Sequence, residues 1–483
     1  MEVKEVIISL NKVLTLPNGG GINKHFIDII IEENIPVLCV NSALQKKKLM
    51  PFKVLNDNKD KFWQIQDGNW EYFLSGESLG KIKEKSVVKR RAWEDKTSNP
   101  AAVIEKTETA QNKTESQPVK LNGYGKEYNY YAEMSPNDRV DCLNHVKQKL
   151  DELLIKKCKD EAAVTEVLVD STKEAAMINH AAIEEALNFA DDEAKKFTQH
   201  MVDSTTEMVK SSAQLLSEDV FSNELMNTLV EKSNGTIVQH MTRVYLNGIA
   251  FLTYYNNLVS TSSVIQKLRI AFPAKFRKLY HSLLPHIHID DLNLEHVFYR
   301  GMRAISPELY FKWAVGFLVH DIGKASAIEY HEGGASFDRK LVIDHVKLGY
   351  KQIMTKTNYP IEASLITGYH HEYYGDPAGY GYFRFYLQQY KKANPSAKQD
   401  YCITYELEPI LDYQALAYFP AKVLEIIDVY DSLTDPNRVY RKPMEPEEAL
   451  TMMRAEFIEK HLKLDPILFS MFESFTREKN RKE

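Results

Sequence analysis

Cysteine is scarce in this chain: Cys39, Cys142, Cys158 and Cys402 are the only four in 483 residues, and no two form a CxxC pair. That usage excludes a disulfide framework and a thiolate metal site, and leaves the four as reduced core residues. Long apolar runs are also missing. Without a stretch of roughly eighteen apolar residues no membrane-spanning helix is expected. The opening MEVKEVIISLNKVLTLPNGG is too charged, and its apolar stretch too short, for a signal peptide. Nor is there an excess of one charge. With 61 basic against 67 acidic residues, the net charge of -6 gives no general attraction to a nucleic acid polymer or an anionic lipid surface. A phosphate-bearing ligand would have to be gripped by a local cluster. The triple glycine Gly19–Gly21 lacks the Lys-Ser/Thr that follows in a P-loop, and reads as a hairpin or loop. Together these absences describe a cytoplasmic protein with no membrane insertion.

The chain is too long for one average core, so about two or three domains are expected. Residues 1–92 carry short β-favouring runs, VIISL at 6–10, IPVLCV at 35–40 and FWQI at 62–65, between Asn, Gly and Pro turn signals. They predict a small α/β or β-rich N-terminal domain. Residues 93–135 read as a flexible linker, because the stretch up to about 125 is dominated by Thr, Lys, Glu, Asn and Gln and cannot bury enough apolar area to offset chain entropy. Residues 136–229 are helical in pattern. Val140, Leu143, Val146, Leu150 and Leu153 recur at three- and four-residue spacing, and Glu174 to Met208 continues without proline. This segment is either a signalling coiled coil offering a homodimer seam through helices at 136–232, or a bundle belonging to the domain that follows. Met177, Met201 and Met208 read as core fillers. The fold class expected is mainly α, with an all-helical domain at 230–483.

The chemistry lies in that last domain, in five pieces: HMTRV at 240–244, HDIGK at 320–324, DHVKLGY at 344–350, HHE at 370–372 and DVYDSLT at 428–434. Imidazoles with a few carboxylates are the donors that a dinuclear metal site needs. His320 and Asp321 follow the apolar run WAVGFLV, and Gly323 then lets the chain turn. In the helix pattern at 420–433, Val423, Leu424, Ile427 and Tyr430 form one stripe that turns Asp428 to the packed side. A lone buried histidine or aspartate is ordinarily a satisfied core or capping residue. The set taken together is what points to bound ions.

These motifs resemble the HD superfamily of metal-dependent phosphohydrolases over roughly 230–450, and within it the HD-GYP subgroup, which degrades cyclic di-GMP. HHEYYGDPAGYG is similar to the subgroup's HHE segment and GYP loop, and DVYDSLTDPNRVYRKP to its last helix and basic loop. The resemblance implies one ion held by His240, His320, Asp321 and Asp428, and a second by His345, His370, His371 and the shared Asp321. It implies iron or manganese as the two divalent cations, cyclic di-GMP as the ligand, and hydrolysis to linear pGpG with GMP as a further product. Asp321 and Lys324 are then the catalytic residues. Lys324, Tyr380, Arg438, Arg441 and Lys442 hold the substrate, Tyr380 by stacking on a guanine. Thr236 stands where some members carry a third-metal glutamate, which favours two ions. The loop tripeptide is Gly379-Tyr380-Gly381, without the family's proline. The stretch 257–305 stands as an insert, a lid if it lies over the metals, and its His296 is the substitute for His240 if HMTRV is not the first ligand segment. The alternatives are a catalytically impaired cyclic di-GMP sensor and a phosphohydrolase acting on another nucleotide.

Overall fold

The computed structural model describes residues 7–9, 29–41, 46–57, 71–75, 78, 81–82, 127–158, 160–217, 237–261, 263–331, 334–337, 339–374, 379–394, 400–413, 415–435 and 442–480. The chain divides into two compact units, Met1–Gln117 and Pro118–Glu483. The first holds a four-stranded antiparallel sheet of β1 (Ile7–Ser9), β2 (Pro36–Asn41), β3 (Lys46–Pro51) and β4 (Glu71–Ser75), in the order β1-β4-β2-β3. A short helix, α1 (Phe52–Asp57), follows β3, and Val37, Leu74, Phe52, Leu55 and Ile82 close a small core. Strands β3 and β4 were not legible in the sequence because lysines and an isolated aromatic pair disguise their alternation. FWQI and the triple glycine fall outside the described residues.

The second unit is mainly helical. It starts with α2 (Glu127–Glu133), inside the stretch expected to be linker. Tyr128 is the reason: its ring is buried and its hydroxyl reaches Glu184. Next come α3 (Pro136–Lys156), α4 (Glu161–Ala186) and α5 (Asp191–Ser217). The side chains of Ser135 and Asp160 cap the first two, and Lys157, in the left-handed region at φ 45°, ends α3. Leu143, Val146 and Leu150 are buried with Met177, Met201 and Met208 in the same core as the domain that follows. Helices α3–α5 are therefore a bundle of that domain. The apolar stripe that suggested a dimer seam is covered within the chain.

The site is carried by α6 (Ile237–Thr261), α10 (Pro307–Val319), α11 (Arg339–Lys356), α12 (Ile361–Tyr369) and α15 (Phe419–Thr434). Between α6 and α10 lie α7 (Val264–Lys275), α8 (Arg277–His281) and α9 (Leu294–Val297). This insert is part of the core. Phe272, Tyr280, Leu284 and Leu294 are buried, and the Tyr280 hydroxyl donates to Asp465 at 2.6 Å. The expectation of an all-helical domain is corrected by two small sheets, the antiparallel β5 (Ile328–His331) and β6 (Gly334–Phe337), and the parallel β7 (Asp400–Thr404) and β8 (Ala415–Tyr418). Runs of four or five residues are too short for periodicity to separate strand from helix. Two more helices sit around β7 and β8, α13 (Arg384–Ala393) and α14 (Glu408–Leu411), and α16 (Pro446–Met453) and α17 (Pro466–Asn480) close the chain. No helix among the described residues is long and apolar enough to cross a membrane. None of the four cysteines is in a disulfide; Cys39 is buried and the others are half-buried.

Candidate metal centre

Helix α15 runs through the middle of the domain. From Phe419 to Asp431 every residue is buried, so its carboxylates at Asp428 and Asp431 are largely withdrawn from water and must find partners inside. Facing them, α6 presents His240 and, one turn later, Arg243, both buried. Helix α10 ends at Val319, which puts His320 and Asp321 at its buried C-terminal end, and α12 likewise ends so that His370 caps it and His371 follows. His345 comes from the interior of α11. The segment 321–323 lies directly against α11: a Cβ on Gly323 would collide with the His345 carbonyl and come within 2.6 Å of the Gly349 nitrogen. Glycine is needed there for close approach, not for the turn expected from the sequence, and this approach brings Asp321 to His345. The seven expected ligands are all brought together, with exposures between 0% and 7%.

Donors about 2.0–2.2 Å from one ion and at right angles to each other stand about 3 Å apart. The site has this spacing. His240 Nε2 is 2.9 Å from Asp428 Oδ1 and 3.2 Å from Asp321 Oδ2. The other oxygen of Asp321, Oδ1, is 3.0 Å from His345 Nε2, whose own distance to His370 Nε2 is 3.2 Å. His320 Nε2 lies 3.7 Å from Oδ2 and His370 Nε2 3.7 Å from Oδ1. Donor atoms cluster as two triads, His240, His320 and Asp428 on one side and His345, His370 and His371 on the other. Asp321 offers one oxygen to each. Buried polar atoms normally have partners, yet His240 Nε2, His320 Nε2 and Asp321 Oδ1 make no hydrogen bond. The donor set and its unsatisfied atoms fit two divalent cations.

The backbone sets the imidazole tautomers. Nδ1 of His320, His345 and His370 faces the carbonyl of the residue three positions earlier, Phe317 at 2.9 Å, Val342 at 2.5 Å and Thr367 at 2.7 Å. A proton held there leaves Nε2 with its lone pair directed into the site, the form that binds metal. His240 has the same arrangement with a carboxylate: its Nδ1 is 2.7 Å from Asp431 Oδ2. Arg243 grips Asp431 through Nε at 2.6 Å and Nη2 at 3.0 Å, and pairs with Asp435 at 2.9 Å.

Comparison of the chain with protein-family models, curated proteins and solved structures gives no match.

The electrostatics of the site favour cations. Burial holds His320 down at about 3, with neighbouring His370 and His240 adding to the effect against the pull of Asp321. Burial likewise lowers His345, and lowers His371 well below the ordinary range. These rings are neutral donors at physiological pH. Burial opposes ionisation of Asp321 and Asp428, but Lys324 and the imidazoles around Asp321, and His240 beside Asp428, outweigh it and keep both carboxylates well below their usual range. His240 is disfavoured as a cation by burial, yet three carboxylates, Asp321, Asp428 and Asp431, raise its proton affinity well above normal. Without an ion, that proton neutralises the cluster. A divalent cation would take its place.

Of the other expected residues, Lys324 is half-buried with Nζ 2.7 Å from Asp321 Oδ2. Tyr380 lies with its ring centroid 4.2 Å from that of His371 and its hydroxyl 3.1 Å from His371 Nε2, so one ring face is already covered. Lys442 is exposed; Arg438, Arg441 and Thr236 lie outside the described residues. His296 is an exposed N-terminal residue of α9, its Nδ1 accepting from the Asn293 backbone. It is remote in role from the cluster that His240 joins.

Sequence reading missed Asp431, Arg243 and Asp435. The signal was there, since Asp428 and Asp431 repeat the three-residue spacing of His240 and Arg243. Glu372 was also unassigned. Its buried carboxylate accepts the Arg384 backbone N–H at 2.7 Å, and a Cβ on Gly381 would strike it. Glu372 thus pins the loop that carries Tyr380. Behind the HDIGK segment, half-buried His180 of α4 faces the Ile322 backbone, its imidazole held down at about 4 by loss of solvent.

Proposed function

We propose that this protein is a two-metal phosphodiesterase of the cytoplasm that opens cyclic di-GMP to pGpG, with GMP as a further product. The observation that carries the reading is the bridging geometry of Asp321: one oxygen faces each triad, at distances matching the edges of two adjoining coordination spheres. Histidine nitrogen with carboxylate oxygen and no sulfur suits iron or manganese. Two such ions would supply Lewis acidity toward a phosphoryl oxygen and a water of lowered pKa.

The chain's own residues supply the rest. Asp321 and Asp428 provide the anionic oxygens, and the pinned imidazoles provide neutral donors whose positions need no reorganisation. Lys324, held at the edge of the cluster by Asp321, places an ammonium where a phosphate oxygen would approach. Burial excludes bulk water and strengthens each of these interactions. The choice of a cyclic dinucleotide rests on the motif resemblance.

The test is metal analysis with turnover on one anaerobically purified sample. About two ions per chain, with conversion of cyclic di-GMP that disappears in Asp321→Ala, is the expected outcome. Bound ions with tight ligand binding and no product would replace the enzyme reading by a sensor, and a chain that takes up no divalent ion would refute both.

A further inference from the structure

The two triads are unequal in charge. The His240 side has two carboxylates, Asp428 and the shared Asp321, whereas the His345 side has three neutral imidazoles and the shared Asp321 alone. A divalent cation on the His345 side is therefore less well neutralised. It also has four protein donors where octahedral O/N coordination takes about six.

One further oxygen stands at the right place. The Tyr380 hydroxyl is 3.1 Å from His371 Nε2, and this is the ring nitrogen that faces the site, 3.9 Å from Asp428 Oδ2. The separation falls between those of His345 Nε2 from His370 Nε2 and of His345 Nε2 from Asp321 Oδ1, at 3.2 and 3.0 Å. It is the edge expected between neighbouring ligands of one ion. The same ring lies 6.1 Å from that of His345, so the phenol is beside two members of the triad.

The loop is built to keep it there. Gly381 N–H donates to the His371 carbonyl at 3.0 Å, Tyr382 N–H to the Gly368 carbonyl at 2.9 Å, and Arg384 N–H to Glu372 at 2.7 Å. These three bonds tie the backbone on the C-terminal side of Tyr380 to the same segment that carries His370 and His371. Gly381 admits no side chain at that approach, because a Cβ would run into Glu372. The ring is thereby held beside His371 and His345.

We propose that Tyr380 is a ligand of the ion on the His345 side, binding through its phenol oxygen. Its O–H proton passes to solvent as the oxygen–metal bond forms, and the phenolate supplies the anionic charge which that side lacks. One position then remains for water or a phosphate oxygen. This inference rests on the two-metal reading above.

A phenolate bound to ferric iron absorbs in the visible by charge transfer, which imidazole and carboxylate ligands do not. The full chain would be loaded with Fe²⁺ without oxygen, oxidised with ferricyanide, and assayed for iron content and visible absorption. Wild type and Tyr382→Phe should bind iron and be coloured. Tyr380→Phe should bind the same amount of iron and lose the band. A colourless iron-loaded wild type, or a Tyr380→Phe protein that keeps its band, would overturn the assignment and leave the phenol as a hydrogen-bond partner of His371. A wild-type chain that binds no iron, manganese or other divalent ion would overturn the two-metal reading as well, so the two failures are distinct.

Discussion

Replacing Asp431 by Asn tests whether His240 is held for metal binding by the carboxylate behind it. Asp431 accepts from Arg243 at 2.6 and 3.0 Å and lies 2.7 Å from His240 Nδ1, fully inside the protein. Burial works against its charge, but Arg243 and His240 more than compensate and hold the carboxyl far below the usual range. Deleting one member of such a buried pair costs about 3–5 kcal/mol. Asn keeps the volume and one acceptor, and Asp435 still pairs with Arg243 at 2.9 Å. The expected loss of folding stability is therefore smaller, about 1–3 kcal/mol. The larger consequence is for the tautomer. An amide N–H turned toward His240 Nδ1 would drive the ring proton to Nε2, the nitrogen that must bind the ion. Changes to groups behind metal ligands typically cost about 10–100-fold in affinity, equivalent to about 1.4–2.7 kcal/mol. A chelator competition read by metal content should show one ion lost early and the other retained, since His345, His370 and His371 have no contact with Asp431 among these bonds. Unchanged affinity for both ions in a folded Asp431→Asn protein would refute the reasoning.

Other outcomes follow from the same geometry. His240→Ala should lose the ion on its side while His296→Ala keeps full metal content, as only His240 joins the cluster. Gly323→Ala forces a methyl group against α11 and should lower stability by about 1–3 kcal/mol, seen as a drop in Tm; an unchanged Tm would mean that the segment does not approach as closely. His180, ordinarily near 6.5 and here held at about 4 by burial, stays neutral in the folded chain while the unfolded chain takes up a proton. Its contribution is intact above about 6.5 and is lost as pH falls toward 4, by up to about 3 kcal/mol. Urea titrations across that range should show a shallower pH dependence for His180→Gln, and parallel curves would argue against the burial.

The residues of the cluster were legible because each carries its own context. His320 and Asp321 end an apolar run, His370 and His371 are adjacent, and Asp428 interrupts a buried stripe. What was not legible was which side chains stand behind them. Asp431 and Arg243 look like surface charges on helices until α6 and α15 face each other, and Glu372 looks like part of a turn until the 379–384 loop folds back on it. The lysine-rich β3, the aromatic β4 and the short strands at 328–337 and 400–418 were missed for the same reason, since few residues and a mixed pattern leave local preference without a signal.

Sequence alone determined that the chain is mainly helical, and it picked out the imidazoles and carboxylates between residues 240 and 428 that meet in one cluster. Periodicity and residue type are local properties, and they survive reading one residue at a time. Only the tertiary structure decided that Asp321 gives one oxygen to each triad, that His240 and not His296 completes the set, and that Tyr380 lies on His371. Those are distances between residues far apart in the chain. They are set by how buried helices pack and by two glycines, Gly323 against the α11 backbone and Gly381 against the Glu372 side chain.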